Sequence, residues 1–74
     1  MPMIIFTGCK PELKKVSFTS LLHKKGDMGL IEAKAIMDKI LDDEIVEVMV
    51  ENYDTACEIV DDANQLGFIC NLEL

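Results

Sequence analysis

The amino-acid sequence predicts an α+β fold, a two-layer sandwich in which a three-stranded sheet is covered by three helices in the order β-α-α-β-α-β. Three short segments have strand patterns, and three longer segments repeat apolar residues at helical spacing. A sheet of three strands is stable only when another layer packs on one of its faces, so we expect the helices on one side. With 74 residues, the chain suits a single domain spanning residues 1–74.

The chain begins with a strand followed by a helix. The segment MIIFT, from Met3 to Thr7, is rich in β-branched and aromatic residues and ends at Gly8, which predicts a short strand. From Pro11 to about His23 the apolar residues follow helical spacing, and proline is favoured at the first position of a helix. The apolar stripe of this helix comprises Leu13, Phe18, Leu21 and Leu22.

A corner with the sequence GDMG, residues 26 to 29, separates the first helix from a second one. We expect Gly26 to end the first helix, and Asp27 or Gly29 to be the N-cap of the second. Glu32 then lies in the first turn, where its negative charge is stabilised by the positive end of the helix dipole. The apolar stripe of the second helix comprises Leu30, Ala33, Met37, Ile40 and Leu41.

The second half of the chain contains a strand, a helix and a last strand. Residues 44 to 51, EIVEVMVE, place three valines on one face, which is the clearest strand pattern in the chain. Asn52 suits the N-cap of the next helix, and Gly67 suits the position just past its end. The apolar stripe of this helix comprises Ala56, Ile59, Val60, Ala63 and Leu66. Alternation from Phe68 to Leu74 predicts the last strand.

Three apolar residues of the predicted strands lie on the side away from Val46 and Val48. They are Ile45, Met49 and Ile69. Because an apolar patch on the outside of a sheet can bring two copies together, we expect a monomer or a weak homodimer.

The net charge of −7 is distributed unevenly along the chain. Residues 1–41 contain all seven lysines and four acidic residues, a net charge of +3, whereas residues 42–74 contain ten acidic residues and no base, a net charge of −10. A basic patch on the first two helices can therefore dock an acidic protein surface although the whole chain is acidic.

The cysteines indicate a reducing compartment. Cys9, Cys57 and Cys70 are widely spaced without a C-x-x-C pair, so we expect free thiols, no metal site and no cofactor. The chain also lacks an apolar stretch of the ~20 residues that cross a bilayer. We therefore expect a cytoplasmic protein that does not bind a membrane.

Two other functional classes are disfavoured. Catalysis by acid and base needs a carboxylate or histidine in a dry pocket, whereas the acids here lie on strand and helix faces that we expect to be wet, so no enzyme is predicted. Two glycines three apart between helices are also typical of RNA-binding modules of the KH kind, which leaves RNA binding at the Gly26–Gly29 corner as an alternative. Asp27 inside such a clamp repels phosphate by up to about 4 kcal/mol at ~4 Å, and arginine is absent, so nucleic acid is disfavoured.

Two segments of the chain carry a resemblance to a known family. KKVSFTSLLHKKGDMGLIEAKAIMDKIL and the later LGFICNLEL resemble the C-terminal domain of the bacterial ribosomal stalk protein, the large-subunit protein seven/twelve. The match is best at MGLIEAK, from Met28 to Lys34. The resemblance implies the same β-α-α-β-α-β order and a docking role, since the stalk domain recruits translational GTPases through its first two helices.

The resemblance also implies which residues bind a partner. Lys15, Val16 and Lys34 keep the residue types of the family's docking face. Thr19, Ser20 and His23 stand where the family has an aliphatic residue, a lysine and an arginine. Helix geometry independently places residues 16, 19, 20 and 23 on a face distinct from that of the buried stripe. The predicted partner-binding residues are Lys15, Val16, Thr19, Ser20, His23 and Lys34.

A second family with this fold offers another partner. EAKAIMDKI and YDTACEIVDDANQLGFICNLEL resemble the second helix and the ending of the Clp protease adaptor ClpS, which implies a Clp-type ATPase as an alternative partner. The Asn-Asp pair that reads the substrate amine in that family is absent, and Leu41 occupies the place of its histidine. We therefore expect no pocket for an N-terminal amine.

Overall fold

A computed structural model describes residues 2–73 and has the predicted α+β architecture. Its elements are β1 (Met3–Cys9), α1 (Lys15–Lys24), α2 (Leu30–Leu41), β2 (Val46–Met49), α3 (Tyr53–Gln65) and β3 (Phe68–Glu73). The order β-α-α-β-α-β is therefore confirmed. Over the described range, none of the helices has the length and apolar character needed to cross a membrane.

The sheet places the first strand of the chain at its centre, in the order β2-β1-β3 with both pairings antiparallel. Met3 is opposite Met49 on one side and opposite Glu73 on the other. Between Phe6 and Gly8 the pairing with β3 shifts by one residue, so that Thr7 forms a bulge. After the bulge, Gly8 is opposite Ile69.

The core lies between the sheet and the helices. Three phenylalanines join the two layers: the ring of Phe18 lies edge-on to Phe6, with centroids 5.4 Å apart, and stacks on Phe68 at 3.8 Å. All three rings are fully buried. Within residues 2–73, every buried side chain is apolar. Burial of apolar surface and close packing of these rings are thus what hold the helices on one face of the sheet.

The predicted start of the first helix at Pro11 is wrong, because α1 begins at Lys15. The backbone N–H of Lys10 donates to the carbonyl of Gly67 at 2.7 Å, and the N–H of Lys14 donates to the carbonyl of Leu66 at 2.9 Å. These bonds hold the segment before the helix, which turns at Pro11 and Glu12 and is extended at Lys14, against the turn between α3 and β3. Proline was a correct local signal, but a contact between distant parts of the chain overrides it.

The third helix begins and ends as predicted. The side-chain oxygen of Asn52 accepts hydrogen bonds from the backbone N–H groups of Asp54 and Thr55, at 2.8 and 3.2 Å. Gly67 follows the helix with a φ of +96°, which glycine adopts without strain. Leu74, the end of the predicted last strand, lies outside the described residues.

Candidate functional site

The six predicted partner-binding residues lie together around one groove between α1 and α2. This helical groove has a volume of about 440 Å³. Its lining comprises Lys15, Val16, Thr19, Ser20, His23, Leu30, Lys34 and Met37. The structure therefore brings all six predicted residues to one site and adds Leu30 and Met37 to them.

The floor of the helical groove is mainly apolar. Met37 is buried beneath it, while Val16 is 83% exposed and Leu30 is 57% exposed along its sides. The hydroxyl of Thr19 donates to the carbonyl of Lys15 at 3.0 Å and lies 3.5 Å from the sulfur of Met37, so this polar group is already satisfied within the helix pair. An apolar side chain from a partner can therefore enter the helical groove, because the hydroxyl of Thr19 keeps its hydrogen bond within the helix.

Leu30 and Met37 are the lining residues that the sequence did not predict. Both belong to the apolar stripe of the second helix, which was expected to face the core, and Met37 does. Leu30 instead remains exposed, because it is the first residue of α2 and lies beside the neighbouring helix rather than above the sheet. Its neighbour Ile31 is 90% exposed. Two consecutive apolar residues at a helix start are the signal that could have indicated a surface patch.

A lysine lies on each of the two helices that form the helical groove. Lys15 and Lys34 are exposed on its two helices, and none of its lining residues is acidic. Lysine stems cover apolar surface while the ammonium groups stay in water. The groove thus offers an apolar floor within a basic rim, which matches a segment carrying both apolar and acidic side chains.

His23 has a structural contact in addition to its place in the groove lining. Its Nδ1 lies 2.7 Å from the carbonyl oxygen of Met28. Because a carbonyl only accepts, Nδ1 must carry the proton and donate to it. The bond ties the end of α1 to the corner that leads into α2, and it leaves Nε2 free to contact a ligand.

The corner between the two helices has a conformation different from the predicted one. Lys25, rather than Gly26, is the C-cap of α1, and the left-handed residue is Asp27, with a φ of +54°. Gly26 is required for another reason: a Cβ there would lie 2.5 Å from the carbonyl oxygen of Leu22. Gly29 is the N-cap of α2, one of the two predicted choices, and a Cβ on it would meet open space.

The charges at the corner oppose a phosphate ligand. The ammonium group of Lys25 is bonded to the carboxylate of Asp62 on α3 at 2.7 Å, and this hydrogen bond raises the pKa of Lys25. The cavities beside the corner are lined by Asp27, Glu47 and Glu51. A phosphate clamped at Gly26 and Gly29 would therefore face carboxylates, and one of the two preceding lysines is already paired.

The thiols are structural or surface groups. Cys70 is buried in the core, and burial raises its pKa to about 11, so it stays protonated near neutral pH. Its sulfur lies 3.7 Å from the carbonyl oxygen of Val60. Cys9 and Cys57 are half-buried and unpaired. In the part of the chain that the structure describes, no three metal-binding side chains come together.

No protein-family model, curated protein or solved structure matches this chain. The similarity to the stalk domain and to the Clp adaptor accordingly stays a prediction from the residues quoted above.

Proposed function

We propose that this protein is a non-enzymatic docking domain that binds a partner protein in the helical groove between α1 and α2. The observation that carries the proposal is the convergence of Lys15, Val16, Thr19, Ser20, His23 and Lys34 on one apolar groove with a basic rim. Lys15, Val16, Thr19, Ser20 and His23 belong to α1 and Lys34 to α2, so the site depends on how these two helices pack against each other.

The partner is expected to present an acidic, amphipathic segment. Apolar side chains of that segment would cover Val16 and Leu30, and its carboxylates would face Lys15 and Lys34. Burial of the apolar side chains supplies most of the affinity, and the charges select and orient the segment.

The resemblance to the stalk domain makes a translational GTPase the first candidate for this partner, and the resemblance to ClpS makes a Clp-type ATPase the second. Both classes are cytoplasmic, and cytoplasmic location is part of the proposal. We propose neither a nucleic acid nor a membrane as a partner.

A capture experiment with matched charge variants tests the proposal. Tagged wild type, Lys15→Glu with Lys34→Glu, and Lys10→Glu with Lys39→Glu are each incubated with cytosol of the source organism, and bound proteins are identified by mass spectrometry. Both double variants change the net charge equally, but Lys10 and Lys39 do not line the helical groove. Val16→Ser tests the apolar contact, since this side chain is 83% exposed and its loss should not unfold the domain.

The expected result is one partner captured by wild type and by the Lys10, Lys39 variant and lost from the other two. A GTPase of translation would identify a stalk-like docking domain, and a Clp-type ATPase would identify a protease adaptor. Equal capture by all four proteins would overturn the proposal, because partner binding would then not use the groove.

A further inference from the structure

The outer face of the sheet is a second surface that exposes apolar side chains. The helices cover the face that carries Ile4 and Phe6, and the opposite face is open to solvent. Met49 is 60% exposed there and Ile69 is 43% exposed, with Met3 and Ile5 half-buried beside them. The exposure of Met49 and Ile69 agrees with the side of the sheet predicted for them, whereas Ile45, which is also exposed, precedes β2 and is not part of the sheet.

Strand register arranges these apolar residues as a diagonal stripe. Met49 on β2 is opposite Met3 on β1. Ile5 is the next outward residue of β1, and after the bulge Gly8 is opposite Ile69 on β3. Gly8 has no side chain to cover Ile69, and a Cβ placed on it would touch that side chain at 3.9 Å. The diagonal stripe therefore runs from Met49 on β2 over Met3 and Ile5 to Ile69 on β3, with the exposed Asn71 as the β3 partner of Ile5 and the exposed Thr7 in the bulge beside Gly8.

Acidic residues flank the diagonal stripe on both sides. Glu47 is the β2 partner of Ile5, and Glu73 is the β3 partner of Met3. Both are exposed. They are the only charged residues in the three strands, and no strand residue is basic. An apolar ridge with a carboxylate on each side is complementary to a ligand with an apolar stripe and flanking cations.

The dimensions of the diagonal stripe fit a helix. With strands about 4.8 Å apart and outward residues about 6.7 Å apart along a strand, the diagonal from Met49 to Ile69 is about 16 Å long. A helix rises 1.5 Å per residue, so about 11 residues, or three turns, span it. The width of the sheet is close to the roughly 10 Å diameter of one helix.

A second copy of the chain is a poor occupant for the same reasons. Pairing two identical outer faces would bring four exposed carboxylates, Glu47 and Glu73 of each copy, and no strand cation into one interface.

We propose that the diagonal stripe on the outer face of the sheet binds a cationic amphipathic helix of a partner protein. Together with the helical groove on the other layer, this makes the domain bivalent: the groove takes an acidic segment and the sheet takes a basic one. The helix would complete a third layer over the open face, with its apolar stripe on Met3, Ile5 and Ile69. Its lysines or arginines would reach Glu47 and Glu73.

A peptide titration tests this second site. The probe is a synthetic peptide of about 18 residues, built from leucine and lysine in an amphipathic helical pattern, titrated into isotope-labelled protein and followed by NMR. We expect the shifted amide signals to lie in β1, β2 and β3 rather than in α1 and α2. Met49→Thr with Ile69→Thr should weaken binding by about tenfold. Glu47→Lys with Glu73→Lys should weaken it further and reduce its dependence on salt.

Matched controls separate this site from nonspecific attraction and from the helical groove. Glu58→Lys with Asp61→Lys makes the same change of charge on the exposed surface of α3 and should leave the strand signals shifting as in wild type. Lys15→Glu with Lys34→Glu should not weaken peptide binding, so this site can fail or succeed independently of the groove. A peptide of the same composition in scrambled order should bind weakly.

Three outcomes would overturn the inference. The first is equal binding of the ordered and scrambled peptides, which would show charge attraction alone. The second is unchanged affinity in both sheet variants. The third is a concentration-dependent dimer whose strand signals shift without peptide, since a second copy would then occupy the face.

Discussion

The helical groove and the outer face of the sheet present opposite charges on the two layers of one small domain. The groove carries Lys15 and Lys34 around apolar side chains, and the sheet carries Glu47 and Glu73 around apolar side chains. The net charge of −7 therefore describes neither surface. Each of the two surfaces therefore offers an apolar centre with charges of one sign, although α2 and α3 also carry acidic residues elsewhere in the helical layer.

The two surfaces share one core, and the largest expected effect comes from breaking it. Phe18 packs against Phe6 of the central strand and Phe68 of an edge strand. We expect Phe18→Ala to lower the free energy of unfolding by about 3–5 kcal/mol, through lost burial and the cavity left behind. A domain of this size has a total of about 4–11 kcal/mol, so both surfaces should be lost together.

Chemical denaturation followed by circular dichroism measures the effect of Phe18→Ala. Phe18→Leu is the control, since it keeps most of the apolar volume and should cost less. A loss below about 1 kcal/mol in Phe18→Ala would contradict the view that this ring joins the layers.

A smaller loss of stability, confined to the helical layer, is expected from a substitution at the corner between α1 and α2. Gly26→Ser places a Cβ 2.5 Å from the carbonyl oxygen of Leu22, and we expect a loss of about 1–3 kcal/mol as the corner shifts. Gly29→Ser makes the same chemical change in open space at an N-cap. It should alter stability by no more than about 0.5 kcal/mol, in the stabilising direction.

The free energies of unfolding of these two serine variants provide the direct comparison. NMR spectra should show Gly26→Ser disturbing the His23 to Met28 contact while the strand signals stay in place. Equal stabilities of the two variants would mean that the corner tolerates a side chain at either glycine.

The smallest expected effect is at the outer face of the sheet. Met49→Thr removes an exposed apolar side chain and keeps a residue suited to a strand, so the free energy of unfolding should change by no more than about 0.5 kcal/mol. Its neighbour Val48 is 6% exposed on the inner face, and Val48→Thr should cost distinctly more, because it buries a hydroxyl. A large loss in Met49→Thr would indicate that the outer face contributes to stability rather than to binding.

Local signals in the sequence predicted most of the fold. The Asn52 cap and Gly67 after the third helix each depend on neighbours within a few residues, and each was predicted correctly. The strand predicted at residues 44–51 is confirmed only over Val46–Met49. The candidate site was also assembled from the sequence, because positions 16, 19, 20 and 23 share a helix face whatever the rest of the chain does.

Two of the features that sequence analysis missed depend on contacts between distant residues. α1 begins at Lys15 rather than at the predicted Pro11, because the backbone N–H groups of Lys10 and Lys14 donate hydrogen bonds to the turn at Leu66 and Gly67. The exposure of Leu30 followed from the side-by-side packing of the two helices.

Helical and strand periodicity, charge and caps are properties of short segments, so the sequence by itself determined the six elements, their order and the basic and acidic halves of the chain. Only the tertiary structure decided that β1 is the central strand, that the bulge at Thr7 sets Gly8 against Ile69, and that the apolar residues of three strands form one diagonal stripe. The physical reason is register. Which residues of separate strands stand side by side is decided by packing the inner faces on a common core, and the outer face takes whatever arrangement that packing imposes.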